Sequence, residues 1–341
     1  MKLLVFDAWP GEPITCGSGL GSSLLKLPAF EDARAAGHTV DLLTSPPKAE
    51  LLANASAVGR RYGDPSEVPW HAYDCLVPFG VSVPASLRAH PRLRADSRSP
   101  ARLKADYEQV SHVSFWRGLM ANALAAPPTP ATAPPAIMSI SPSAESLAWA
   151  EARLPRGQRV VTLSLSALTN LKRYPRWAEV AREVGRLLPD ACVALVGLEP
   201  PGADFPAGVL DLTRGTSLDQ LVAVVASSAV VAGSDGLVTN LGVACGRPTL
   251  ALFTVIRPAF VIDPDLALGA PVCSLVHPGC PLQPCYPRLG DYRTAACPLD
   301  PGLGPIDPPR CAKFDPAEVV AALASLLTRD GARDPGADAL R

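Results

Sequence analysis

The chain has 341 residues, more than a single hydrophobic core usually organises, so its length predicts two domains. Its 31 lysines and arginines nearly balance its 32 aspartates and glutamates, and no basic run occurs, which argues against nucleic acid or an anionic membrane surface as a partner. The first residues lack the apolar core of a signal peptide, and no apolar run is long enough to span a bilayer. We therefore expect a cytoplasmic protein without a transmembrane segment.

Apolar runs alternate with helical patterns along the first part of the chain. A glycine-broken loop, Gly17 to Gly21, separates the first run from the first helical pattern. The runs at 2–6, 39–44 and 74–79 predict strands, and the patterns at 22–36, 48–60 and 103–125 predict helices. Strands that alternate with helices indicate a mostly parallel sheet covered on both faces.

A proline-rich segment follows at 126–135, where half of the residues are proline. Proline is excluded from helix interiors and central strands, so this segment predicts an extended linker. A second alternating series comes after it, with strands at 160–165, 192–197, 209–212, 229–232 and 249–253 and helices at 177–188, 217–227, 235–245 and 316–327.

These patterns predict an α/β protein of GT-B architecture, in which two Rossmann-like, doubly wound domains face a central crevice that binds the ligand. We place a first Rossmann-like domain at 1–150, with the linker near its end. A second Rossmann-like domain with a cysteine-rich loop is placed at 151–330, and 331–341 is expected to be a disordered tail.

Several motifs resemble those of the bacterial heptosyltransferase family of glycosyltransferases, in the same order and over nearly the whole chain. The segment at 21–30, GSSLLKLPAF, is similar to the family's Gly-Asp-x-Leu-x-x-Leu-Pro-Ala-Leu motif. The second half is similar at 170–175, 196–199, 215–218, 233–240, 246–249 and 252–253. Each motif is weak alone, and their common register carries the resemblance.

The resemblance implies that the first domain, 1–150, is the acceptor-side domain and that the second, 151–330, binds the nucleotide sugar. The residues implied to bind the nucleotide-diphosphate sugar are Lys172, Glu199, Thr216, Asp235, Gly236, Thr239 and Asn240. A lysine and a helix N-terminus are a physically suitable pair for this task, because both neutralise the charge that grows on a leaving diphosphate. Glu199 resembles the family carboxylate that accepts hydrogen bonds from ribose hydroxyls. Two simpler interpretations remain: Asp235 as a helix N-cap and Glu199 as a solvated loop residue.

Two positions depart from the family pattern. Ser22 stands where the family has its catalytic aspartate, and a serine hydroxyl cannot accept a proton near neutral pH. Asn240 stands where the family has a histidine. Another carboxylate could act as the base, the acceptor could need none, or catalysis could be lost. Asp7, at the end of the first strand, is our preferred replacement base, and its structural alternative is to tie down the following loop.

Nine cysteines are distributed unevenly, with five of them between 273 and 311. In a reducing compartment, such a cluster indicates a metal site more often than disulfides. The pattern resembles protein heptosyltransferases that modify autotransporters, in which a four-cysteine finger carries iron. That likeness implies a structural Fe or Zn held by Cys280, Cys285, Cys297 and Cys311, and reduced, unligated thiols are the alternative.

The sequence therefore predicts an inverting glycosyltransferase. It would transfer a heptose-like sugar from a nucleotide-diphosphate donor such as ADP-heptose to a hydroxyl of a glycan or protein acceptor. The alternative is a catalytically silent protein on the same GT-B frame that binds a sugar nucleotide or a glycan, because Ser22 replaces the family aspartate.

Overall fold

The apolar runs of the sequence form the central strands of two parallel sheets. The computed structural model describes residues 1–11, 17, 19–96, 100–125, 136–262, 266–267, 269–277, 280–285, 296–303 and 307–330. The predicted linker at 126–135 and the predicted tail at 331–341 lie outside these residues. The chain divides into two units, 1–141 with 258–267 and 142–257 with 268–341.

The first unit is built on a sheet of four parallel strands in the order β3-β2-β1-β4. Its elements are β1 Lys2–Phe6, α1 Leu20–Leu24, α2 Leu27–Ala35, β2 Thr39–Leu43, α3 Pro46–Leu51, β3 Arg61–Tyr62, β4 Cys75–Pro78, α4 Pro100–Tyr107, α5 His112–Ala123, β5 Ala136–Ile137, α10 Pro258–Val261 and β11 Leu266–Ala267. The short strands β5 and β11 pair with each other in parallel. Residues of β1 are buried on both faces, as expected for a strand inside a parallel sheet.

The second unit has a larger parallel sheet in the order β12-β10-β9-β6-β7-β8. Its elements are α6 Ala144–Glu151, β6 Arg159–Ser164, α7 Trp177–Leu187, β7 Ala191–Val196, β8 Leu210–Asp211, α8 Leu218–Ala226, β9 Val230–Ser234, α9 Leu237–Ala244, β10 Thr249–Phe253, β12 Val272–Val276 and α11 Pro316–Asp330. One face of this sheet packs against α7 and α11 in a core that contains Trp177, Val184 and Leu323. The predicted α/β class with mostly parallel strands is confirmed in both units.

The predicted helices of the first half are interrupted. The helix expected at 22–36 is two helices, because Pro28 lies in the first turn of α2, where its missing N–H costs no hydrogen bond. The helix expected at 103–125 is also two, since Ser111 caps the start of α5 by accepting a hydrogen bond from the Ser114 N–H. The helix expected at 48–60 begins at Pro46 and ends at Leu51. No described helix is long and apolar enough to cross a membrane.

Candidate functional site

In the first unit, polar side chains gather at the carboxyl ends of β1 and β2. Asp7 follows β1, and its Oδ2 accepts hydrogen bonds from Lys26 Nζ at 3.0 Å and Lys48 Nζ at 2.9 Å. Its other carboxylate oxygen accepts a short hydrogen bond from the hydroxyl of Thr44, which follows β2. All four side chains are buried. One carboxylate is therefore shared by two ammonium groups away from water.

Lys26 ties this cluster to its surroundings. Its Nζ also donates to the carbonyl oxygens of Gly17 and Phe79, both at 3.4 Å, and lies 4.5 Å from the ring centre of Trp116. The cluster thus joins the loop after β1, the end of β4 and helix α5. Three carbonyl or carboxylate acceptors and an aromatic face compensate for the burial of this cation.

The charges around Asp7 set its protonation state. Burial alone would raise the pKa of Asp7, but the ammonium groups of Lys26 and Lys48, with the Thr44 hydroxyl, hold that pKa below its ordinary value. Burial, together with the ammonium of Lys26, lowers the pKa of Lys48 despite the attraction of Asp7. A general base needs a free lone pair and a pKa near the working pH. Both oxygens of Asp7 already accept hydrogen bonds and its pKa is held low, which is typical of a structural ion pair rather than of a general base. Among the described residues, which include only part of the following loop, two lysines and a threonine hold this carboxylate.

Ser22 lies on α1 and is half-buried, and its backbone N–H donates to the Gly19 carbonyl at 3.1 Å. Ser22 is therefore a residue of α1, the helix that contains the Gly-Ser-Ser-Leu segment of the predicted motif.

In the second unit, Lys172 and Asp235 meet at the carboxyl ends of β6 and β9. Lys172 ends a short 3-10 turn, Asn170–Lys172, and its Nζ lies 2.5 Å from Asp235 Oδ2 and 3.3 Å from the Asp235 carbonyl oxygen. The Ser234 hydroxyl donates to the Lys172 carbonyl oxygen at 2.5 Å, so the backbone of the lysine is fixed as well. The ion pair is largely buried, with 13% of the Lys172 side chain and 6% of the Asp235 side chain exposed.

Helix α9 begins directly after this ion pair. Gly236 precedes the helix, and its N–H donates to the Thr239 hydroxyl at 3.1 Å. The backbone N–H of Asn240, a buried residue, donates to the Gly236 carbonyl at 3.1 Å. The N-terminus of a helix carries a partial positive charge, so a cation and a helix start lie together at this sheet edge, as a diphosphate site requires.

Glu199 follows β7 and pairs with the residue next to Lys172. Its Oε1 lies 2.6 Å from Arg173 Nη2, and about half of the glutamate side chain is exposed. Gly197 shapes this turn with φ +147°, and a Cβ at that position would lie 2.6 Å from Ser166 Oγ. Thr216 is half-buried, directly before Ser217, which caps α8. Arg173, the partner of Glu199, is not among the predicted site residues, and only the fold of the turn at Gly197 brings the two together.

The four predicted metal ligands line one small cavity of about 10 Å³, room for a single ion or water molecule. Burial, together with the neighbouring sulfurs of Cys280, Cys285 and Cys297, raises the pKa of the Cys311 thiol to about 12. Four thiols around one cavity are a donor set that suits tetrahedral Zn or Fe. Among the described residues, however, no three Cys, His, Asp or Glu side chains are arranged to ligate one ion.

Leu171 and Val255 line the same cavity and join it to the Lys172 turn. Of the other cysteines, Cys273 lies in β12, in register with Leu250 of β10. It is therefore part of the sheet.

The sequence matches no protein-family model and no curated protein. Solved structures share its fold. The ADP-heptose LPS heptosyltransferase II of E. coli has a TM-score of 0.66 at 15% identity, covering 97% of this chain and 100% of that one. A glycosyl transferase family 9 structure from Veillonella parvula has a TM-score of 0.65 at 13% identity, covering 96% and 97%.

The iron-containing dodecameric glycosyltransferase TibC of enterotoxigenic E. coli has a TM-score of 0.62 at 14% identity, covering 98% of this chain and 80% of that one. At such low identity the likeness concerns the fold. The predicted resemblance is confirmed at that level: the chain has the α/β fold of the heptosyltransferases.

Proposed function

We propose that this chain is an inverting glycosyltransferase that takes a heptose-like sugar from a nucleotide diphosphate, such as ADP-heptose, and transfers it to a hydroxyl of a glycan or protein. The observation that carries the proposal is the Lys172–Asp235 pair at the start of α9. It combines a cation and a helix N-terminus at the carboxyl ends of parallel strands, where α/β proteins bind nucleotides. The names of the E. coli relatives, which include ADP-heptose and heptosyltransferase, support the donor class.

The predicted site residues of the second unit have the following roles in this proposal. Lys172 neutralises the diphosphate as it leaves, and Asp235 orients the lysine through its carboxylate. The first backbone N–H groups of α9 would bind the phosphates, and the buried Thr239 and Asn240 hold Gly236 at the start of this helix through their own hydrogen bonds. Glu199 accepts from the ribose hydroxyls, with Arg173 holding its carboxylate, and Thr216 lies at the start of the next helix.

A second function is favoured by the first unit: a catalytically silent protein that binds a sugar nucleotide. Ser22 cannot act as a base, and the carboxylate of Asp7 is occupied by Lys26 and Lys48. The two proposals share the donor site and differ in whether a sugar reaches an acceptor.

The cysteine cavity leads to a separate proposal, that one Zn or Fe binds Cys280, Cys285, Cys297 and Cys311. The shared cavity and the donor chemistry support it, and TibC is an iron-containing relative by name. Small movements of the thiols would be needed to complete a tetrahedral set. Such a metal would stabilise a loop that has little hydrophobic core of its own.

Calorimetry with ADP, GDP, UDP and CDP tests the donor site. The wild type should bind one of them, and Lys172→Ala should weaken that binding by the worth of a charge-assisted contact, roughly 1.5–3 kcal/mol. Lys313→Ala, an exposed lysine of the same unit, is the matched control and should leave the affinity unchanged. If Lys172→Ala stays folded and binds as tightly as the wild type, the donor site is misplaced.

Transfer is tested separately, with a panel of nucleotide sugars and glycan acceptors. Product with inverted anomeric configuration, identified by NMR, supports the enzyme. Tight donor binding with neither transfer nor hydrolysis supports the silent protein instead.

A further inference from the structure

The cysteine cavity and the donor site share a wall. Leu171 lies between Asn170 and Lys172 in the 3-10 turn that presents the lysine, and only 2% of it is exposed. Its side chain packs in a small apolar cluster with Val255 and Cys297, and Cys285 borders the same cluster. The turn that carries Lys172 therefore packs directly against the cysteine cavity.

A second contact reaches the other side of the donor site. Gln283, between Cys280 and Cys285, donates from Nε2 to the Phe253 carbonyl at the end of β10, at 3.1 Å. That strand end supports Asp235, whose backbone N–H donates to the Leu252 carbonyl at 3.0 Å. The cysteine-rich segment thus holds both the turn of Lys172 and the strand beside Asp235.

Apart from this support, the turn that carries Lys172 is held by a few hydrogen bonds. The carbonyl oxygen of Lys172 accepts from Ser234, and the Lys172 N–H donates to the Thr169 carbonyl at 3.1 Å. The Leu171 N–H also donates to Thr169 Oγ1 at 3.3 Å, and Nζ holds Asp235. If the packing of Leu171 is lost, the turn keeps these hydrogen bonds but has no apolar support beneath it, so it can tilt and shift Nζ from its position. A misplacement of about 1 Å is enough to weaken a charge-assisted contact strongly.

We propose that Leu171 is a positioning residue for the donor nucleotide. Through Leu171, the packing of the side chains that line the cysteine cavity sets the affinity for the nucleotide. The inference rests on the proposed function, because it assumes that Lys172 binds the diphosphate. It assigns to the cysteine-rich segment a task beyond stability: truncation or oxidation of the thiols should loosen the donor site without touching the nucleotide.

The test measures the affinity for whichever of ADP, GDP, UDP and CDP the wild type binds most tightly. Leu171→Ala should weaken it roughly five- to tenfold, less than the complete loss of the Lys172 contact. Leu171→Met, which keeps the volume, should bind nearly as the wild type does. Leu326→Ala is the matched control, since Leu326 is also 2% exposed in the same unit but lies in α11 within the main core. It should lower the melting temperature and leave the affinity within about twofold.

Cys297→Ser tests the same link at a cysteine of the cluster that contains Leu171, and it applies if Leu171→Ala does not fold. It should weaken nucleotide binding in parallel with Leu171→Ala. Folded Leu171→Ala or Cys297→Ser protein with wild-type affinity overturns the inference, as does an equal loss in Leu326→Ala. These outcomes differ from failure of the proposed function, in which the wild type binds none of the four nucleotides or Lys172→Ala has no effect.

Discussion

The substitution Asp7→Asn separates the structural role of Asp7 from the catalytic one. Asparagine keeps the shape of the side chain and removes its charge, so the ammonium groups of Lys26 and Lys48, 3.0 and 2.9 Å from Oδ2, would face a neutral amide. Removing one partner of a buried ion pair typically costs about 3–5 kcal/mol. With two buried cations left on one site, we expect the first unit to lose stability at the upper end of that range.

Urea denaturation at pH 7, followed by tryptophan fluorescence, measures the loss. Trp116 is a suitable reporter because its ring lies over Lys26 Nζ. Asp32→Asn in the same unit is the control: its carboxylate pairs with Arg117 but is 37% exposed, so we expect a loss below about 1 kcal/mol. The double variant Asp7→Asn with Lys48→Met removes one of the stranded cations and should regain much of the stability lost by Asp7→Asn.

Two results would refute this reasoning. If Asp7→Asn costs no more than Asp32→Asn, the buried cluster contributes little to stability. If Asp7→Asn keeps its stability and its nucleotide affinity but loses sugar transfer, Asp7 is the base after all, and the two lysines must release it during the reaction.

Three other perturbations have outcomes that follow from the same contacts. Because the pKa of Asp7 is lowered from 3.8 in the folded state, its stabilisation is fully present above that value and is lost as the pH falls through the lower folded pKa. The urea midpoint of the wild type should therefore fall more steeply below about pH 4 than that of Asp7→Asn. Ser22→Asp should create or raise sugar transfer by typically 10²–10⁴-fold if only the base is missing, measured with the same donor and acceptor, whereas no gain in a folded variant would favour a relocated base. Purified protein should carry about one Zn or Fe per chain by elemental analysis, and Cys285→Ser should lower both metal content and melting temperature; metal-free protein of full stability would favour reduced thiols.

The strands were predictable because central strands of a parallel sheet are buried on both faces and are therefore apolar throughout. The runs at 2–6 and 249–253 coincide with β1 and β10. Strand β12 was missed, since its residues Val272–Val276 are half-exposed and interrupted by a serine, and it lies within the cysteine-rich part of the chain. Only its pairing with β10 makes it a strand.

The meeting of Lys172 and Asp235 was partly predictable for a related reason. The ends of parallel strands meet at one edge of the sheet, so polar residues that follow β6 and β9 had to lie near each other. The structure joins Lys172 to Asp235 accordingly. The pairing of Glu199 with Arg173 depends instead on the turn at Gly197, which residue spacing along the chain does not specify.

Lys26 and Lys48 show what sequence patterns leave out. A lysine near a helix start is ordinarily solvated. Lys26 stands between Leu25 and Leu27 in an apolar run, but nothing in the residue spacing identifies an anionic partner for it or for Lys48. Their burial follows from tertiary packing, because α1 packs against α3 and Asp7 projects from the end of β1 toward both lysines. A buried carboxylate stays ionised only where cations compensate its charge. Asp7, which the sequence offered as a base, is the carboxylate whose negative charge the fold balances with two lysines. If transfer activity is found and Asp7 has no part in it, the simplest alternative to a protein base is direct attack by the acceptor hydroxyl, whose proton is released to solvent water as the new C–O bond forms and the bond to the diphosphate breaks.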